Sequence, residues 1–342
     1  MCYRFTKMPF VLALMMTGFS TVAADVPGVK IVTESATFQE LADSNARPEL
    51  ITDKAVWAEG PVCTPEGLFI FSDVKQNRVM SWSEKQGPKV WLAPSDYQNG
   101  HAVDGKGRII AASHGRRAIV RQEYDGTWTT LADSWEGKRL NSPNDVTVAP
   151  DGAIWFTDPT FGVLSKEESY GGKPEQDGEY VYRYDSSSRR LSRADTPEVH
   201  SPNGLAFSPD GKTLYVSDTQ QAHDFSNKKL AHRIMVYRID GARLTSGRVF
   251  AEVTSGIPDG ITTDEKGNVW SSSKEGVHVF SGQGVRLGRI LIPSEDTGNL
   301  ALCSGADGRK WLYVTAANLV LRLPVKVSAA GQNPPGSSLR GR

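Results

Sequence analysis

Apolar and polar residues alternate in short runs, and the runs recur six times along the chain. Each copy has an apolar run, a turn containing Gly, and a second β-rich run, which is the signature of a β-hairpin. The copies are AEGPVCTPEGLFIFSD, QNGHAVDGKGRIIAAS, SPNDVTVAPDGAIWFTD, SPNGLAFSPDGKTLYVSD, IPDGITTDEKGNVWSSS and TGNLALCSGADGRKWLYVT. Runs between the copies, such as RIMVYRID, supply two further strands per copy. Six four-stranded units predict an all-β fold, a six-bladed β-propeller.

The repeats leave little of the chain for other elements. We predict one propeller domain over residues 25–330, in which FQELADS, a weak helical pattern, helps to close the ring. Longer spacings after the second strands of the third and fourth copies predict insertions at residues 159–179 and 219–232. Both insertions lie over the face where the first strands begin, and long loops on a rigid scaffold commonly build binding sites. The Pro-, Gly- and Ser-rich residues 331–342 predict a disordered tail.

The N-terminus has the pattern of a secretory signal peptide. Arg4 and Lys7 precede an apolar run, and small residues follow up to Ala24. The apolar run is too short to span a bilayer, so we expect cleavage after residues 1–24 and an exported mature protein, periplasmic or secreted, without a membrane span. A formal net charge of +0 argues against nucleic acid as a partner.

Three cysteines are present, and Cys2 leaves with the signal peptide. Cys63 and Cys303 can pair in an oxidising compartment. The repeat places them on equivalent strands of two blades, too far apart to bond, so we predict two buried free thiols. Their spacing excludes a cysteine-based zinc cluster.

One position aligns at the start of the innermost strand in all six copies, so its side chains should converge on one mouth of the central channel. The aligned residues are Glu59, Asn99, Asn144, Asn203, Asp259 and Gly298. We expect Gly204, which follows Asn203, to permit the turn into the inner strand. Asn and Asp also form turns by bonding their own backbone, but Glu does not, and five oxygen-bearing side chains on one axis suit a hard cation. We therefore predict a divalent metal in the channel, Ca²⁺ first, with Zn²⁺, Mn²⁺ or Mg²⁺ as alternatives.

A second set of polar residues ends the second strand of the copies. It comprises Asp73, Ser113, His114, Asp158, Asp218, Ser273 and Lys274. Such an Asp can bond backbone amides of a neighbouring blade or act on a substrate, and both readings stay open for Asp158 and Asp218. His114 titrates near neutral pH when unperturbed, and it is equally open to a structural or a functional role.

Several motifs identify a family. EGPV, LNSPNDVTVAPDGAIWFTDPTFG, SPNGLAFSPDGKTLYVSDT and IPDGITTDEKGNVW resemble the family of gluconolactonase, senescence marker protein and luciferin-regenerating enzyme. The resemblance implies a six-bladed propeller, one divalent metal, usually Ca²⁺, and lactone hydrolysis. It implies Glu59, Asn203 and Asp259 as metal ligands, and Asn144 as a ligand of metal or substrate. Ser142 stands where some members have an Arg that contacts a sugar hydroxyl.

The expected reaction is hydrolysis of a sugar lactone. The metal polarises the lactone carbonyl, and a carboxylate at the mouth accepts the proton of the attacking water. The resemblance favours Asp259 as this base, with Asp218 and His114 as alternatives. Asn144, Asn99 and Asp158 are the expected substrate contacts.

Two other functions are compatible with the pattern. One is a phosphotriesterase similar to diisopropylfluorophosphatase, and the other is a non-catalytic propeller that binds a sugar or a protein. The sequence has no Gly-x-Ser-x-Gly elbow and no His-Glu-x-x-His motif, which excludes the common serine-hydrolase and zinc-protease signatures.

Overall fold

The computed structural model describes residues 25–305 and 307–331, which are mostly antiparallel strands and loops. In chain order the strands are β1 (Lys30–Thr33), β2 (Glu49–Thr52), β3 (Ala58–Cys63), β4 (Phe69–Asp73), β5 (Arg78–Ser83), β6 (Gly87–Leu92), β7 (Gln98–Val103), β8 (Ile109–Ser113), β9 (Ala118–Gln122), β10 (Trp128–Ala132), β11 (Ser134–Trp135), β12 (Lys138–Arg139), β13 (Val146–Val148), β14 (Ile154–Asp158), β15 (Tyr180–Asp185), β16 (Arg190–Arg193), β17 (Pro202–Phe207), β18 (Thr213–Asp218), β19 (Arg233–Asp240), β20 (Arg243–Glu252), β21 (Ile261–Thr263), β22 (Val269–Ser273), β23 (Gly276–Phe280), β24 (Arg286–Leu291), β25 (Asn299–Ser304), β26 (Lys310–Ala316) and β27 (Leu319–Val325). The helical elements of the described residues are α1 (Phe161–Leu164) and 3₁₀ turns at Ala36–Glu40, Val74–Gln76 and Gln220–His223. The predicted signal peptide, residues 1–24, and residues 332–342 of the predicted tail lie outside the described residues.

Six sheets form the blades of a propeller, and each begins with its innermost strand. The blades run β3–β6, β7–β10, β13–β16, β17–β20, β21–β24 and β25–β27, while β11 and β12 form a separate hairpin. Innermost strands of successive blades contact each other, and β3 contacts both β7 and β25, so the ring is closed. The prediction of an all-β, six-bladed propeller is confirmed.

The N-terminal segment completes two blades. β2 pairs with β27 in the sixth blade, with Glu49 opposite Arg322, and β1 pairs with β24 at the outer edge of the fifth. FQELADS forms only a short 3₁₀ turn, whose Phe38 is fully buried against Gly288. The segment therefore closes the ring through its strands, since a strand added to an open blade satisfies that blade's unpaired edge.

The prediction of free cysteines is wrong, because Cys63 and Cys303 form a disulfide with a Cα–Cα distance of 6.1 Å. Cys63 ends β3 of the first blade and Cys303 lies in β25 of the sixth. These blades are neighbours once the ring closes, although 240 residues separate the two cysteines along the chain. The bridge joins the first blade to the last.

The hydrophobic core is divided into clusters that lie between adjacent blades. Phe69 of the first blade stacks on Tyr313 of the sixth at 4.2 Å between ring centroids, and Trp155 of the third blade packs with residues of the fourth. Burial of such side chains contributes about 25 cal/mol per Å² of apolar surface, so each blade is held by its neighbours. Within the described ranges, no helix has the length and apolar character needed to cross a membrane.

Candidate metal centre at the channel mouth

The six aligned residues lie side by side around one end of the channel. Backbone contacts connect their positions in blade order. Gly100 N–H donates to the Asn144 carbonyl at 2.8 Å, Gly204 N–H to that of Asp259 at 3.1 Å, and Gly260 N–H to that of Gly298 at 2.8 Å. Glu59 fills the space beside Gly298, where a Cβ atom would strike its carboxylate. The structure thus brings the predicted residues together, and we call the six positions the oxygen ring.

Hydroxyl groups on the second strands fix the oxygen ring from outside. Ser72 donates to the carbonyl of Asn99 at 3.0 Å, Thr157 to that of Asn203 at 2.6 Å, and Ser217 to that of Asp259 at 2.7 Å. In each case the donor belongs to the preceding blade. Because these bonds occupy buried backbone acceptors, they hold the inner-strand starts in register without using the side-chain oxygens.

A glycine follows the ring residue in four of the six blades, and it is needed there for close approach between blades. At Gly204 the sequence suggested a turn, but a Cβ atom there would strike the Asp259 carbonyl and come within 2.8 Å of Ile261 N. Gly60 meets the Asn99 carbonyl in the same way and also has a positive φ of 49°. The Gly in Pro-Asn-Gly therefore sets the distance between neighbouring blades.

Gly204→Ala is expected to lower the free energy of unfolding by about 1–3 kcal/mol, as overpacking does, and to reduce activity by displacing Asp259. Thermal unfolding and an activity assay measure both effects. Gly105→Ala is the matched control, because no atom lies within 4 Å of a Cβ at Gly105. Equal behaviour of the two variants would contradict this role of Gly204.

Glu59 and Asp259 are two acidic groups held in the same buried mouth. Burial raises the pKa of Glu59 well above its usual range, and the charge of Asp259 raises it further. Burial likewise raises the pKa of Asp259, with smaller contributions from Asp296 and Asp145. Within residues 25–305 and 307–331, no Lys or Arg forms an ion pair with either carboxylate. Two repelling carboxylates without a protein cation are the arrangement that a bound metal ion stabilises.

The donor set fits a hard divalent cation. In the part of the chain that the structure describes, no three His, Cys, Asp or Glu side chains cluster closely enough to hold a metal. A site at the oxygen ring therefore depends on amide oxygens as well as on carboxylates. Asn99 has a buried Oδ1 without a hydrogen-bond partner, and Asn144 and Asn203 are buried beside it in the ring. Carboxylate and amide oxygens together are typical of Ca²⁺ ligands.

In the third and sixth blades, Asp145 and Asn299 take the position that glycine has in the other four blades. Neither residue was predicted from the sequence as part of the site. Each caps its own strand, since Asp145 accepts Val146 N–H at 2.9 Å and Asn299 accepts Leu300 N–H at 2.8 Å. Burial raises the pKa of Asp145 to about 7, against the lowering effect of hydrogen bonds from Val146 and Asn299. The two residues thus meet beneath the oxygen ring and form the floor of the site. The missing glycines at these positions were the available signal.

The aspartates that end the second strands hold backbone amides. Asp73 accepts Val56 N–H and Trp57 N–H at 2.9 and 3.0 Å. Asp218 accepts His200 N–H and Ser201 N–H at 3.2 and 3.0 Å. Both aspartates are fully buried. These contacts favour a bracing role for Asp218 over a role as base.

Asp158 is held in a similar way. It is fully buried and accepts Asn141 N–H at 2.8 Å through Oδ2. Burial raises its pKa to about 8, so the group is largely protonated at neutral pH. The geometry favours a structural role for Asp158 over the predicted substrate contact.

His114 is enclosed beside the oxygen ring. Its Nε2 lies 3.4 Å from Asn99 Nδ2. Gly162 covers the imidazole so closely that a Cβ atom on Gly162 would be 2.5 Å from Nδ1 of His114. Burial lowers the pKa of His114 to about 4. Burial therefore moves His114 away from the near-neutral range of an unperturbed imidazole. A neutral imidazole here can orient Asn99 towards the channel.

The two predicted insertions meet over the mouth, and we call residues 159–179 and 219–232 the roof. Phe161 of the first insertion stacks on His223 of the second at 4.7 Å between ring centroids. Glu168 is half-buried in the first insertion, and its charge adds to the raised pKa of both Glu59 and Asp259, behind the larger effect of burial. The roof therefore carries a third carboxylate to the mouth, which no sequence pattern had indicated.

Comparisons with known proteins identify the family and support the propeller fold. Residues 57–318 match the model of a family described as "SMP-30/Gluconolactonase/LRE-like region". A gluconolactonase of Zymomonas mobilis is 30% identical over 321 residues, which cover 87% of this chain and 86% of the relative. The solved structure of a gluconolactonase from Xanthomonas campestris has a TM-score of 0.80 at 36% identity, covering 89% of this chain and 97% of that one. Regucalcin of Agrobacterium tumefaciens, described as a calcium-binding protein, shares the fold with a TM-score of 0.62 at 20% identity over 84% of this chain and 95% of that one.

Proposed function

The chain belongs to the SMP-30/gluconolactonase/LRE-like family, and we propose that it is a metal-dependent lactonase that opens a sugar lactone. The observation that carries the proposal is the oxygen ring, in which buried Glu59 and half-buried Asp259 repel each other and neither forms an ion pair with a Lys or Arg of the described residues. Glu59, Asn144, Asn203 and Asp259 are the proposed ligands, and Ca²⁺ is the proposed metal. A sugar lactone is a small polar ester that suits a mouth lined by amides and carboxylates.

When bound, the cation supplies Lewis-acid polarisation of the lactone carbonyl. The chain supplies binding, orientation and proton transfer. Asn144 and Asn99 offer amide groups to the sugar hydroxyls, and neutral His114 holds Asn99 in place. The roof limits the access of water to the mouth, which strengthens electrostatic interactions inside it.

A carboxylate completes the reaction by moving a proton. Water adds to the carbonyl carbon while the carboxylate of Asp259 accepts its proton, the bond to the ring oxygen breaks, and that oxygen takes up the proton to give the hydroxy acid. Asp259 is the proposed acceptor because its carboxylate is more exposed than that of Glu59. Burial raises its pKa, which makes a carboxylate a better proton acceptor.

Chelation is expected to abolish hydrolysis. A pH-indicator assay with glucono-lactone and other sugar lactones should give activity that EDTA removes and that added Ca²⁺ restores, with spontaneous hydrolysis subtracted. Parallel additions of Mg²⁺, Mn²⁺ and Zn²⁺ rank the metals. Full activity after exhaustive chelation would refute the metal dependence, and failure to hydrolyse every lactone tested would refute the proposed reaction.

We also propose that the mature protein is exported. The sequence pattern of residues 1–24 supports this. The Cys63–Cys303 disulfide is an independent support, because structural disulfides form in oxidising compartments such as the periplasm or the extracellular medium.

A further inference from the structure

The two insertions of the roof are joined by one ion pair. His223 Nε2 lies 3.2 Å from Glu179 Oε1 and 3.4 Å from Oε2, so the imidazole N–H donates to the carboxylate. Glu179 ends the first insertion and His223 lies in the second. The Glu179 side chain is 11% exposed and that of His223 is 36% exposed. A pair this sheltered is screened less by salt than a surface pair.

The pair is coupled to the helix that covers the site. Glu179 also accepts the backbone N–H of Thr160 at 3.2 Å and the Thr160 hydroxyl. Thr160 directly precedes α1, whose first residue, Phe161, stacks on the His223 ring. The next residue, Gly162, lies against His114. One chain of contacts therefore runs from the His223–Glu179 pair through α1 to His114 and Asn99.

We propose that His223 and Glu179 form a latch that holds the two insertions together over the mouth, closed when His223 carries its proton and released when the proton is lost. Both are positioning residues, because they act on the site through α1. The consequence for substrate binding rests on the proposed lactonase function. The latch itself does not depend on it.

The charges around the pair set the direction of the switch. The hydrogen bond that His223 donates to Glu179 raises the pKa of His223 above its usual value. For Glu179, hydrogen bonds from His223 and then Thr160 hold the pKa below its usual value, against an opposing effect of burial. Asp158 in β14 is close enough for the charge of Glu179 to add to its raised pKa, behind the larger effect of burial; with a pKa of about 8, Asp158 adds little negative charge near the pair below that pH.

Two further titratable groups belong to the chain around the pair: Asp224, which is next to His223, and His200, which lies between Glu179 and His223 in the sequence. Asp224 follows His223, and its carboxylate accepts hydrogen bonds from the backbone N–H and the hydroxyl of Ser226. His200 is exposed at the start of the β17 segment. Because the pKa of His223 is raised, the latch is intact below the ordinary imidazole range and is lost as pH rises through the pKa of the folded protein.

Two measurements test the latch without any substrate. In an NMR titration, the imidazole of His223 should show a raised pKa in the wild type and a lower one in Glu179→Gln. Hydrogen exchange of residues 160–172, corrected for intrinsic rates, should lose protection with rising pH in the wild type. In His223→Gln and Glu179→Gln that protection should be low at every pH. His200→Gln is the matched control, since it removes an exposed imidazole that forms no hydrogen bond or ion pair with His223 or Glu179, and it should behave like the wild type.

Steady-state kinetics tests the consequence. From pH 6 to 8.5 the KM of the wild type for glucono-lactone should rise about three-fold, as expected for a half-buried pair, and the two latch variants should have the high KM throughout. His223→Lys should keep the low KM to higher pH, because the pKa of Lys is about 10.4. Unchanged exchange in Glu179→Gln, or a KM step that survives in His223→Gln, would overturn the latch. Absence of turnover with intact pH-dependent exchange would instead refute the lactonase proposal alone.

Discussion

Asp259→Asn is expected to abolish lactone hydrolysis and the stabilisation of the protein by Ca²⁺ together. The substitution keeps the shape of the side chain but removes one of two carboxylates that face each other at the oxygen ring. Loss of electrostatic stabilisation at a reacting carbonyl costs roughly 10³-fold in rate. The metal-free variant should be at least as stable as the wild type, because Glu59 loses a repelling neighbour. The kcat/KM value and the Tm with and without Ca²⁺ measure these effects.

Asp218→Asn should give the opposite pattern. Its carboxylate braces the His200 and Ser201 amides, so the variant should unfold at a lower temperature while Ca²⁺ still raises its Tm and activity remains. An inactive Asp218→Asn protein with an unchanged Tm would make Asp218 the base. Retained activity or a normal Ca²⁺ response in Asp259→Asn would remove Asp259 from the site.

Replacing both cysteines by Ser is expected to lower the free energy of unfolding by about 3–5 kcal/mol. A cross-link that closes a long loop restricts the unfolded chain strongly, and Cys63 and Cys303 are 240 residues apart. Denaturant unfolding of Cys63→Ser/Cys303→Ser against the wild type measures the difference.

Two observations control this experiment. The wild type unfolded under reducing conditions should match the double variant, which separates the effect of the bond from that of the serine side chains. The double variant should also retain hydrolysis under native conditions, because Cys63 and Cys303 lie at the far ends of β3 and β25 from Glu59 and Gly298. An unchanged unfolding midpoint would show that blade closure does not depend on the bridge.

The repeat was sufficient to predict the fold and the grouping of the aligned residues at one end of the channel. Because the inner strand recurs once per blade, the repeat shows which positions lie around the central channel at the same level. Glu59, Asn203 and Asp259 could therefore be placed together without coordinates. The family resemblance and the oxygen chemistry agreed on the same residues. What a period cannot supply is the distance between blades, and for that reason the close approach at Gly204 was mistaken for a turn.

The errors concern contacts between segments that are far apart in sequence. Cys63 and Cys303 were judged too distant because they lie on equivalent strands of two different blades, with four blades between them along the chain, whereas ring closure makes the first and last blades adjacent. The role of His114 stayed open because the burial imposed by Gly162 depends on how an irregular insertion folds back. Glu168 and Glu179 lie in that insertion too, and no periodicity or motif specifies where such residues end up.

The pairing of β2 with β27 also constrains the order in which the protein can be completed. Glu49 bonds Arg322 across 273 residues of sequence, so the sixth blade cannot form until nearly all of the chain has been synthesised. Pairings of such long range form slowly, and the early blades meanwhile lack the partner that covers their open side. For a chain proposed to be exported, this late completion suits a disulfide that forms in an oxidising compartment, because the first and last blades that it joins meet only when the ring closes.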